Sequence, residues 1–521
     1  MKNLLGLSLA VLMALASPAS AQDVAAFLRS ADQAIGASRV NSVRFSTTGW
    51  MGAVGQNIAD GQDWPRSTVK SYEMTIDYPS NSSHEDYVQV QGNYPAQGAT
   101  RIEGEQRTNV FVSGTDAWTL NAQGQGVAQP AAAELRQFMI RISPHGFIKS
   151  ALAANDATLM DRYVQSLNRT LKVVSFTVMG KYRVSGEFNE QFMLERLMTR
   201  IPNPVLGDMQ MEIRYEEWRD TSNGTKFPYL IHGHRGDHLL APRTGMNWLN
   251  LEVKDVAINV ANAASPAPAN VSNAPMPRAN ATMQQLAPGV WMVGGGSHNS
   301  LAVEFRDYVA VIDGPQNEER SVAVIAAVKR TIAGKPIRYL VNTHHHWDHL
   351  GGVRTFAAQG ATIVTHQSNK NYYENIVLAP QIRTLNPDQM SMNPFATTGP
   401  SPVPLEITGD RHFISDGQRT LFLFHVAGLA HSSDMLMAYL PQERILFHAD
   451  LYTPPEAGAA PPAAAMVNPS SVTLYNTIRQ LNLNVGTHVP AHGQPGSQAD
   501  FERVVGPAAT AAARPAAAGG G

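Results

Sequence analysis

The segment that decides the fold is Asn342-Thr343-His344-His345-His346-Trp347-Asp348-His349-Leu350-Gly351-Gly352. It follows the apolar run 337–341, which has the pattern of a buried strand, and it leads into two glycines at which a helix is expected to begin. Positions 344, 346, 348 and 349 form an HxHxDH pattern. Imidazole and carboxylate groups are ligands of Zn²⁺, and a tight loop after a strand can direct alternate side chains into one cavity. The segment therefore predicts a zinc site on a strand-to-helix loop.

The spacing within this metal loop divides the ligand-type residues into two pairs. His344 and His346 are predicted to bind one ion, and Asp348 and His349 are predicted to bind a second. His345 points away from its neighbours' cavity if the loop alternates, so we exclude it as a ligand. A solvent-exposed histidine cluster is the alternative interpretation. Four ligand-type residues within six positions argue against it.

The order of motifs in the C-terminal half resembles that of the metallo-β-lactamase superfamily. Asp313, after the buried run 309–312, matches the structural aspartate that braces the metal loop in that superfamily. His431 resembles the third histidine of the first zinc site, although the chain has Ala-His-Ser where the family usually has Gly-His-Thr. Asp450 falls at the position of a bridging aspartate, and His492 matches the final histidine of the second site. The implied metal ligands are His344, His346, His431, Asp348, His349, His492 and Asp450.

The resemblance implies a hydrolase that binds two zinc ions per chain. Two such ions, about 3.5–4 Å apart, share a hydroxide that attacks an electrophilic substrate. Asp348 is the predicted catalytic residue, because a carboxylate beside the nucleophile can pass a proton to the leaving group. The ligand set resembles those of glyoxalase II, the lactonases and the three-histidine β-lactamases. We therefore expect an ester, lactone or related carbonyl compound as the small-molecule substrate, with Trp347 and Tyr452 contacting it.

Three other functions remain open, because a fold of this kind does not choose its substrate. One is a periplasmic β-lactamase-type amide hydrolase, although the chain has no cysteine and so excludes the subclasses that use a thiolate ligand. Another is an iron-dependent redox enzyme with the same ligands. The third is a substrate-binding module that carries a vestigial metal site.

The N-terminus has the pattern of a secretory signal peptide. A lysine at position 2 precedes the apolar run 4–16, and small residues follow up to Ala21. The apolar run is shorter than the roughly 20 residues that span a bilayer, so cleavage is favoured over a stable membrane anchor. We expect a periplasmic or secreted protein. The formal net charge is −2 without a long run of either sign, which argues against a nucleic-acid partner.

The length of the chain and its apolar patterns predict an α+β fold with two domains. Period-two runs on both sides of Asn223-Gly224 predict a β-hairpin, which resembles those of the lipoprotein-carrier-like half-barrel, so we expect a curved antiparallel sheet with helices. Alternating strands and helices in the C-terminal half, with the resemblance above, imply an αββα sandwich. Because each region has its own apolar pattern, we expect the chain from Met283 onward to fold and bind metal alone.

The predicted boundaries are a signal peptide at 1–21, an N-terminal β-rich domain at 22–262, a Pro/Ala-rich linker at 263–283, a catalytic domain at 284–506 and a disordered tail at 507–521.

Overall fold

The computed structural model describes residues 21–94, 97–237, 245–393, 403–456, 462–463 and 466–512. The predicted signal peptide, apart from Ala21, lies outside these residues, and so does the last part of the predicted tail. Within the described ranges, none of the helices combines the length and the apolar character needed to span a membrane.

The N-terminal domain is built on one antiparallel sheet of 13 strands. Strands β1 to β6 follow one another from the centre to one edge, and β13 returns beside β1 so that β12 to β7 extend to the other edge. The hairpin predicted around Asn223-Gly224 is confirmed as β11 and β12, which pair antiparallel. The strands are β1 Ser42–Gly52, β2 Arg66–Asp77, β3 Ser82–Gln91, β4 Gln106–Ser113, β5 Asp116–Leu120, β6 Gly126–Ala128, β7 Thr158–Val164, β8 Arg169–Val178, β9 Tyr182–Phe188, β10 Leu194–Asn203, β11 Gly207–Asp220, β12 Lys226–Arg235 and β13 Met246–Ile258.

Three helices pack on this sheet: α1 Ala21–Ile35, α2 Ala133–Ile142 and α3 Pro144–Ala153. Alternate residues of the strands, such as Val43 and Phe45 on β1, are buried in one cluster with residues of the helices, such as Phe138. This is the period-two pattern of a sheet that buries one face. Because helices are few in this large sheet domain, the α+β description holds only coarsely.

The segment predicted as a linker lies along the N-terminal sheet. It contains no helix or strand up to residue 281, and β14 begins at Thr282. Val271 is buried, and the backbone N–H of Asn273 donates to the Asp116 carboxylate at 2.9 Å. The segment is therefore attached to the first domain along part of its length.

The C-terminal domain contains two sheets with helices on both outer faces. Apolar side chains of the two sheets, such as Leu301 and Leu423, meet in one buried cluster between them. The first sheet has β14 Thr282–Ala287, β15 Val290–Gly294, β16 Ser300–Glu304, β17 Val309–Ile312, β18 Ile337–Val341, β19 Thr362–His366 and β20 Leu405–Thr408. The second has β21 Arg411–Ser415, β22 Thr420–His425, β23 Leu436–Leu440, β24 Ile445–Phe447, β25 Thr487–Val489 and β26 Gly496–Ser497. The helices are α4 Glu318–Thr331, α5 Trp347–Leu350, α6 Val353–Ala358, α7 Lys370–Tyr372, α8 Gln389–Met392, α9 Pro469–Gln480 and α10 Gln498–Ala512.

The last helix corrects the predicted start of the disordered tail. Helix α10 continues to Ala512, and Ala508 and Ala509 are buried in it. The prediction of disorder is therefore wrong for residues 507–512. Alanine has the highest helix propensity, and its small side chain allows close packing, so an alanine-rich segment extends a helix that is already docked. Residues 513–521 lie outside the described part of the chain.

The two domains contact each other through both polar and apolar groups. The Asp208 carboxylate, at the start of β11, accepts hydrogen bonds from the backbone N–H groups of Thr384 and Leu385 at 2.9 and 3.1 Å. Val205 of the N-terminal domain is buried in an apolar cluster of the C-terminal domain, and Leu385 packs against the N-terminal core. The two regions therefore share part of their cores, which argues against the expectation that the chain from Met283 is an independent unit.

Candidate metal centre

Asp313 fixes the metal loop through hydrogen bonds to Thr343. It directly follows β17 and has a φ of 65°. Its carboxylate accepts hydrogen bonds from the backbone N–H and the hydroxyl of Thr343 at 2.8 and 3.0 Å. The loop then turns closely against α4, because a Cβ on Gly352 would lie 1.8 Å from the Ser321 hydroxyl. Position 352 therefore requires glycine, because any side chain there would overlap Ser321. These contacts direct the side chains that follow β18 towards one cavity.

The first group of ligand atoms comes from the metal loop, from the loop before β23 and from the segment after β24. One atom from each of four residues lies within 4.8 Å of the others, and these residues are His344, His346, His431 and Asp450. The Nε2 atoms of His344 and His431 are 3.3 Å apart. A spacing of this size is expected of two ligands that share one ion.

The second group lies beside the first. It comprises His298, Asp348, His349 and His492, again within 4.8 Å of one another. The Nε2 of His298 is 3.1 Å from Oδ2 of Asp348, and the His298 and His492 rings are 4.2 Å apart. The structure thus brings together the seven residues predicted as ligands in two adjacent groups and adds His298 to the second.

The Asp450 carboxylate lies between the two groups. Its Oδ2 is 3.1 Å from the Nε2 of His431 in the first group. Its Oδ1 is 3.1 Å from the Nε2 of His349 and 3.3 Å from that of His492 in the second group. Each oxygen of one carboxylate therefore faces a different group, which is the arrangement of a bridging ligand.

The remaining nitrogens of the histidines test whether the site fits a metal. A ligating histidine normally donates its other N–H to a fixed acceptor. In His344, His349 and His492 the Nδ1 atom lies 3.0 Å from an acceptor, which leaves Nε2 directed to the centre. In His346 the Nε2 donates to the carbonyl of Asn57 at 3.0 Å, and the buried Nδ1 has no hydrogen-bond partner within the part of the chain that the structure describes. The donor set and these unpartnered atoms fit two zinc ions.

The electrostatics of the first ligand group favour the protonation states that metal ligands need. Burial, together with the His349 imidazole, lowers the pKa of His344 well below its usual value, and burial with the His431 imidazole does the same for His346. Burial raises the pKa of Asp450, but the His349, His431 and His492 imidazoles together lower it more, so that the net pKa is well below its usual value. Neutral imidazoles and an ionised carboxylate are the forms that coordinate a cation. In the second group, burial lowers the pKa of His349 but the neighbouring carboxylates raise it well above its usual value, and the hydrogen bond with Asp450 raises the pKa of His492.

His345 lies outside both groups. Its Nδ1 is 2.8 Å from the buried Asp434 carboxylate, on the side of the loop away from the two ligand groups. Burial lowers and Asp434 raises the pKa of His345, and the net pKa is above its usual value. The residue is part of the support behind the loop.

The structure places the two predicted substrate-binding residues differently. Tyr452 is 4% exposed and packs against Phe501 at a ring distance of 4.8 Å, so it belongs to the core between the second sheet and α10. An aromatic residue near a metal loop is also a good core residue. Trp347 is partly buried between the domains, where its ring meets Trp64 at 5.8 Å and its Nε1–H donates to Tyr372 at 3.0 Å, and its contact with substrate stays a prediction.

Sequence reasoning missed three residues at the centre. His298 follows β15 in the segment Gly294-Gly295-Gly296-Ser297-His298, where a histidine in a glycine-rich loop after a strand was the available signal. Gln56 and Asn57 belong to the N-terminal domain and reach Asp348 and His346. No pattern in the sequence links positions so far apart.

A third group of ligand-type residues lies apart from the centre. His366, Asp410 and His425 have atoms within 4.8 Å of one another. The two rings are stacked 4.0 Å apart at an angle of 16°. An ion lies near the plane of each imidazole that binds it, and two stacked planes leave no shared position. We therefore interpret this group as a packed pair at two strand ends.

A groove between the domains opens onto the first ligand group. Its volume is about 290 Å³. Residues 91–92 and 99–101 line it from the N-terminal domain, and residues 430–431 and 468–470 line it from the C-terminal domain. The backbone N–H of Gly98 donates to the Ala430 carbonyl at 2.8 Å and holds the two walls together. His431 is the ligand that a molecule in this groove would meet.

Residues 293–492 match the family model described as the metallo-beta-lactamase superfamily. This region is therefore similar to the metallo-β-lactamase superfamily. The match covers the metal loop, Asp313, His431, Asp450 and His492, and so includes both ligand groups.

Part of the chain is also similar to solved structures. A metallo-beta-lactamase from Pontibacter korlensis is 19% identical, and the match covers 44% of this chain and 98% of that one with a TM-score of 0.33. The metallo-beta-lactamase FIM-1 from Pseudomonas aeruginosa, in a mono-zinc form, is 21% identical, with 46% and 99% covered and a TM-score of 0.32. Among curated proteins, 2,4-dinitroanisole O-demethylase subunit alpha from Nocardioides sp. (strain JS1661) is 24% identical over 223 residues, which is 42% of this chain and 60% of that protein.

Proposed function

We propose that this chain is an exported zinc-dependent hydrolase that cleaves an ester, lactone or related carbonyl compound. The observation that carries the proposal is the Asp450 carboxylate, whose two oxygens face two separate groups of ligand atoms at 3.1 Å. Such a carboxylate supports a pair of ions rather than one. Two zinc ions supply activated water and polarise the acceptor oxygen of a substrate.

The chain's own residues supply binding and proton transfer. Asp348 has one carboxylate oxygen held by Gln56 at 2.7 Å and the other facing His298 at 3.1 Å. A fixed carboxylate at the reacting position can hold a proton and return it to the leaving group. The groove of about 290 Å³ beside His431 suits a small molecule. Its lining is partly polar, with Gln91 and Arg101 on one wall, so we favour a substrate that carries a polar or anionic substituent.

A panel of chromogenic substrates, tested with metal analysis, decides among the open functions. An aryl ester, an aromatic lactone, a cephalosporin, a phosphodiester and 2,4-dinitroanisole are incubated with the purified protein before and after removal of metal by a chelator. The last compound is included because a curated relative is named for its O-demethylation. We expect ester or lactone turnover that disappears with the chelator and returns with zinc.

The other outcomes each contradict the proposal in a recognisable way. Turnover of the cephalosporin alone would assign the β-lactamase-type amide hydrolase. Activity that depends on iron would assign the redox enzyme. Export is tested by N-terminal sequencing of protein expressed with its first 21 residues, which should give Gln22 as the first residue of the mature chain.

A second candidate function, ligand binding by the N-terminal domain, is favoured by a separate cavity. The cavity has a volume of about 290 Å³ between the sheet and α2, and apolar side chains such as Phe45 and Met139 form most of its lining. Arg235 also lines it, with its guanidinium 3.8 Å from the Trp248 ring and its buried Nε without a hydrogen-bond partner among the described residues. Burial lowers the pKa of Arg235 to about 10, so the group stays charged at neutral pH. An amphiphile with an anionic group would satisfy both features.

Displacement of a fluorescent fatty-acid analogue tests this second candidate. We expect saturable binding to the wild-type protein, and weaker binding to Arg235→Met, because that change keeps the apolar stem and removes the charge. Equal binding by both proteins, or no binding by either, would contradict it. The measurement is independent of zinc, so it does not bear on the hydrolase.

A further inference from the structure

A loop of the N-terminal domain covers the metal loop. We call residues 53–65 the roof loop; it connects β1 to β2 and is closed by a hydrogen bond from the Ala53 N–H to the Pro65 carbonyl at 2.8 Å. The backbone N–H of Trp347 donates to the carbonyl of Gly55 at 3.2 Å. Next to it, Trp64 packs edge-on against Trp347 with the ring centroids 5.8 Å apart. The roof loop therefore lies directly on the residues that bind metal.

Asn57 of the roof loop determines which nitrogen of His346 is free. The Asn57 carbonyl lies 3.0 Å from the Nε2 of His346 and can only accept, so the Nε2 carries the proton and donates. The Nδ1 of His346 is then the atom with the lone pair, and none of the described residues forms a hydrogen bond with this buried atom. The same role is filled within the C-terminal domain for His344, His349 and His492. For His346 it is filled by the other domain.

Gln56 of the roof loop orients the Asp348 carboxylate. Its amide Nε2 donates to Oδ1 of Asp348 at 2.7 Å, and Oδ2 remains on the side of His298 and His349. A carboxylate rotates freely unless one oxygen is fixed. The Gln56 amide, from the N-terminal domain, therefore fixes one oxygen of Asp348 while the other faces His298 in the second ligand group.

The adjacent residue attaches the roof loop to the segment that carries His431. The carbonyl of Ile58 accepts a hydrogen bond from the backbone N–H of Ser433 at 2.8 Å. Gln56 and Asn57 thus contact the candidate ligands Asp348 and His346, and Ile58 contacts the backbone two residues after His431. Contacts of this regularity indicate a built support rather than an incidental domain contact.

We propose that the roof loop is part of the metal centre, with Gln56 and Asn57 acting as positioning residues for Asp348 and His346. The inference rests on the proposed function in one respect, because it assumes that the two ligand groups hold two ions. It goes beyond it by assigning the N-terminal domain a role in metal binding. Groups that orient ligands in this way typically change metal affinity 10–100-fold when they are removed.

The test is a zinc titration of the full chain in competition with a chromophoric chelator. Gln56→Met keeps the length and flexibility of the side chain but removes the amide donor, so we expect the weaker of the two zinc affinities to fall roughly 10–100-fold. Gln62→Met, in the same roof loop, is the matched control, because Gln62 is exposed and none of the hydrogen bonds found among the described residues joins its side chain to the metal loop. Thermal unfolding of the metal-free proteins shows that both variants are folded.

A second variant separates hydrogen bonding from packing. Gln56→Glu places a carboxylate against Asp348, so repulsion should weaken the second zinc further than Gln56→Met does. In protein loaded with Co²⁺, the visible spectrum of the second site should change in both Gln56 variants and stay unchanged in Gln62→Met.

The results separate failure of this inference from failure of the proposed function. If wild type binds two ions and Gln56→Met binds both with wild-type affinity, the roof loop is only a domain contact and the inference is wrong. If both Gln56 variants lose affinity equally with Gln62→Met, the effect is structural and the inference is again wrong. If wild type binds fewer than two ions, the proposed binuclear site is itself wrong.

Discussion

The Nδ1 atom of His345 lies 2.8 Å from Oδ1 of Asp434, and both side chains are buried. Asp434 lies in the loop before β23 and also accepts hydrogen bonds from Ser432 and Asn369. It therefore joins this loop to the metal loop and to the segment that follows β19. The pair of His345 and Asp434 therefore stabilises the metal loop without being part of either ligand group. Its removal should therefore affect stability more than metal binding.

The first prediction concerns this pair. His345→Ala leaves the buried Asp434 carboxylate without its charged partner, and removing one member of a buried pair costs about 3–5 kcal/mol of unfolding free energy. Zinc content after purification should remain two ions per chain. The control is His412→Ala, because the pair of His412 with Glu406 is partly exposed and should be worth less than about 1 kcal/mol. Urea unfolding checks both, and a loss of zinc without a loss of stability in His345→Ala would show that His345 is a ligand.

The second prediction compares the two carboxylates of the centre. Asp450 faces both ligand groups, whereas Asp348 belongs to the second group alone. Asp450→Ala should therefore retain fewer ions than Asp348→Ala, which should keep about one zinc per chain and still lose turnover. Elemental analysis after gel filtration measures the difference. Two ions retained in Asp450→Ala would contradict a bridging role.

The third prediction uses two glycines of the roof loop. Gly55 and Gly61 both have positive φ, 79° and 74°, so alanine at either position costs about 1–2 kcal/mol of backbone strain. A Cβ on Gly55 would lie 2.5 Å from the Trp347 ring, whereas a Cβ on Gly61 would meet nothing within 4 Å. Gly55→Ala should therefore lift the roof loop and weaken zinc binding, while Gly61→Ala should only lower the melting temperature slightly. Equal zinc affinity in the two variants would contradict the close approach.

The fourth prediction is a pH dependence of stability in the N-terminal domain. Burial lowers the pKa of His145 from 6.5 to about 4, and the side chain is fully buried with its Nε2 donating to the Lys226 carbonyl. Below pH 6.5 the unfolded chain takes up a proton at His145 that the folded chain does not, so its contribution to stability is present above pH 6.5 and is lost as the pH falls towards 4. The loss is on the order of 3 kcal/mol.

The variant His145→Gln isolates this contribution. It keeps an amide donor for the Lys226 carbonyl and cannot titrate, so its unfolding free energy should fall less between pH 7 and pH 4.5 than that of the wild type. All other groups titrate alike in the two proteins and cancel in the comparison. Parallel pH profiles would show that the pKa of His145 in the folded chain is near its ordinary value.

The ligands within the metal loop could be predicted from the sequence because their geometry is local. His344, His346, Asp348 and His349 are fixed by one turn after one strand, and that turn has a recognisable pattern. Asp313, His431, Asp450 and His492 required the resemblance to a family, since each is a single residue at a strand end. The sequence could not show whether Tyr452 and Trp347 are buried or face the substrate. The burial of Tyr452 depends on α10, and that of Trp347 depends on the roof loop.

The contact of Gln56 with Asp348 could not be predicted, because it depends on how two domains dock. Neither residue has a pattern that specifies the other, and the docking is determined by shape and by scattered groups such as Asp208. For the same reason, the sequence did not predict the contacts between the two domains. A Pro/Ala-rich segment indicates a break in the core but does not show whether the regions on either side touch.

The separation of Gln56 from Asp348 along the chain is 292 residues. Contacts between distant positions carry the largest loop-closure cost, and domains generally fold as units before they dock. The hydrogen bonds of Gln56 and Asn57 with the metal loop therefore require that both domains are folded and docked. A chain of which only the C-terminal half has folded carries all eight candidate ligands but lacks these two contacts.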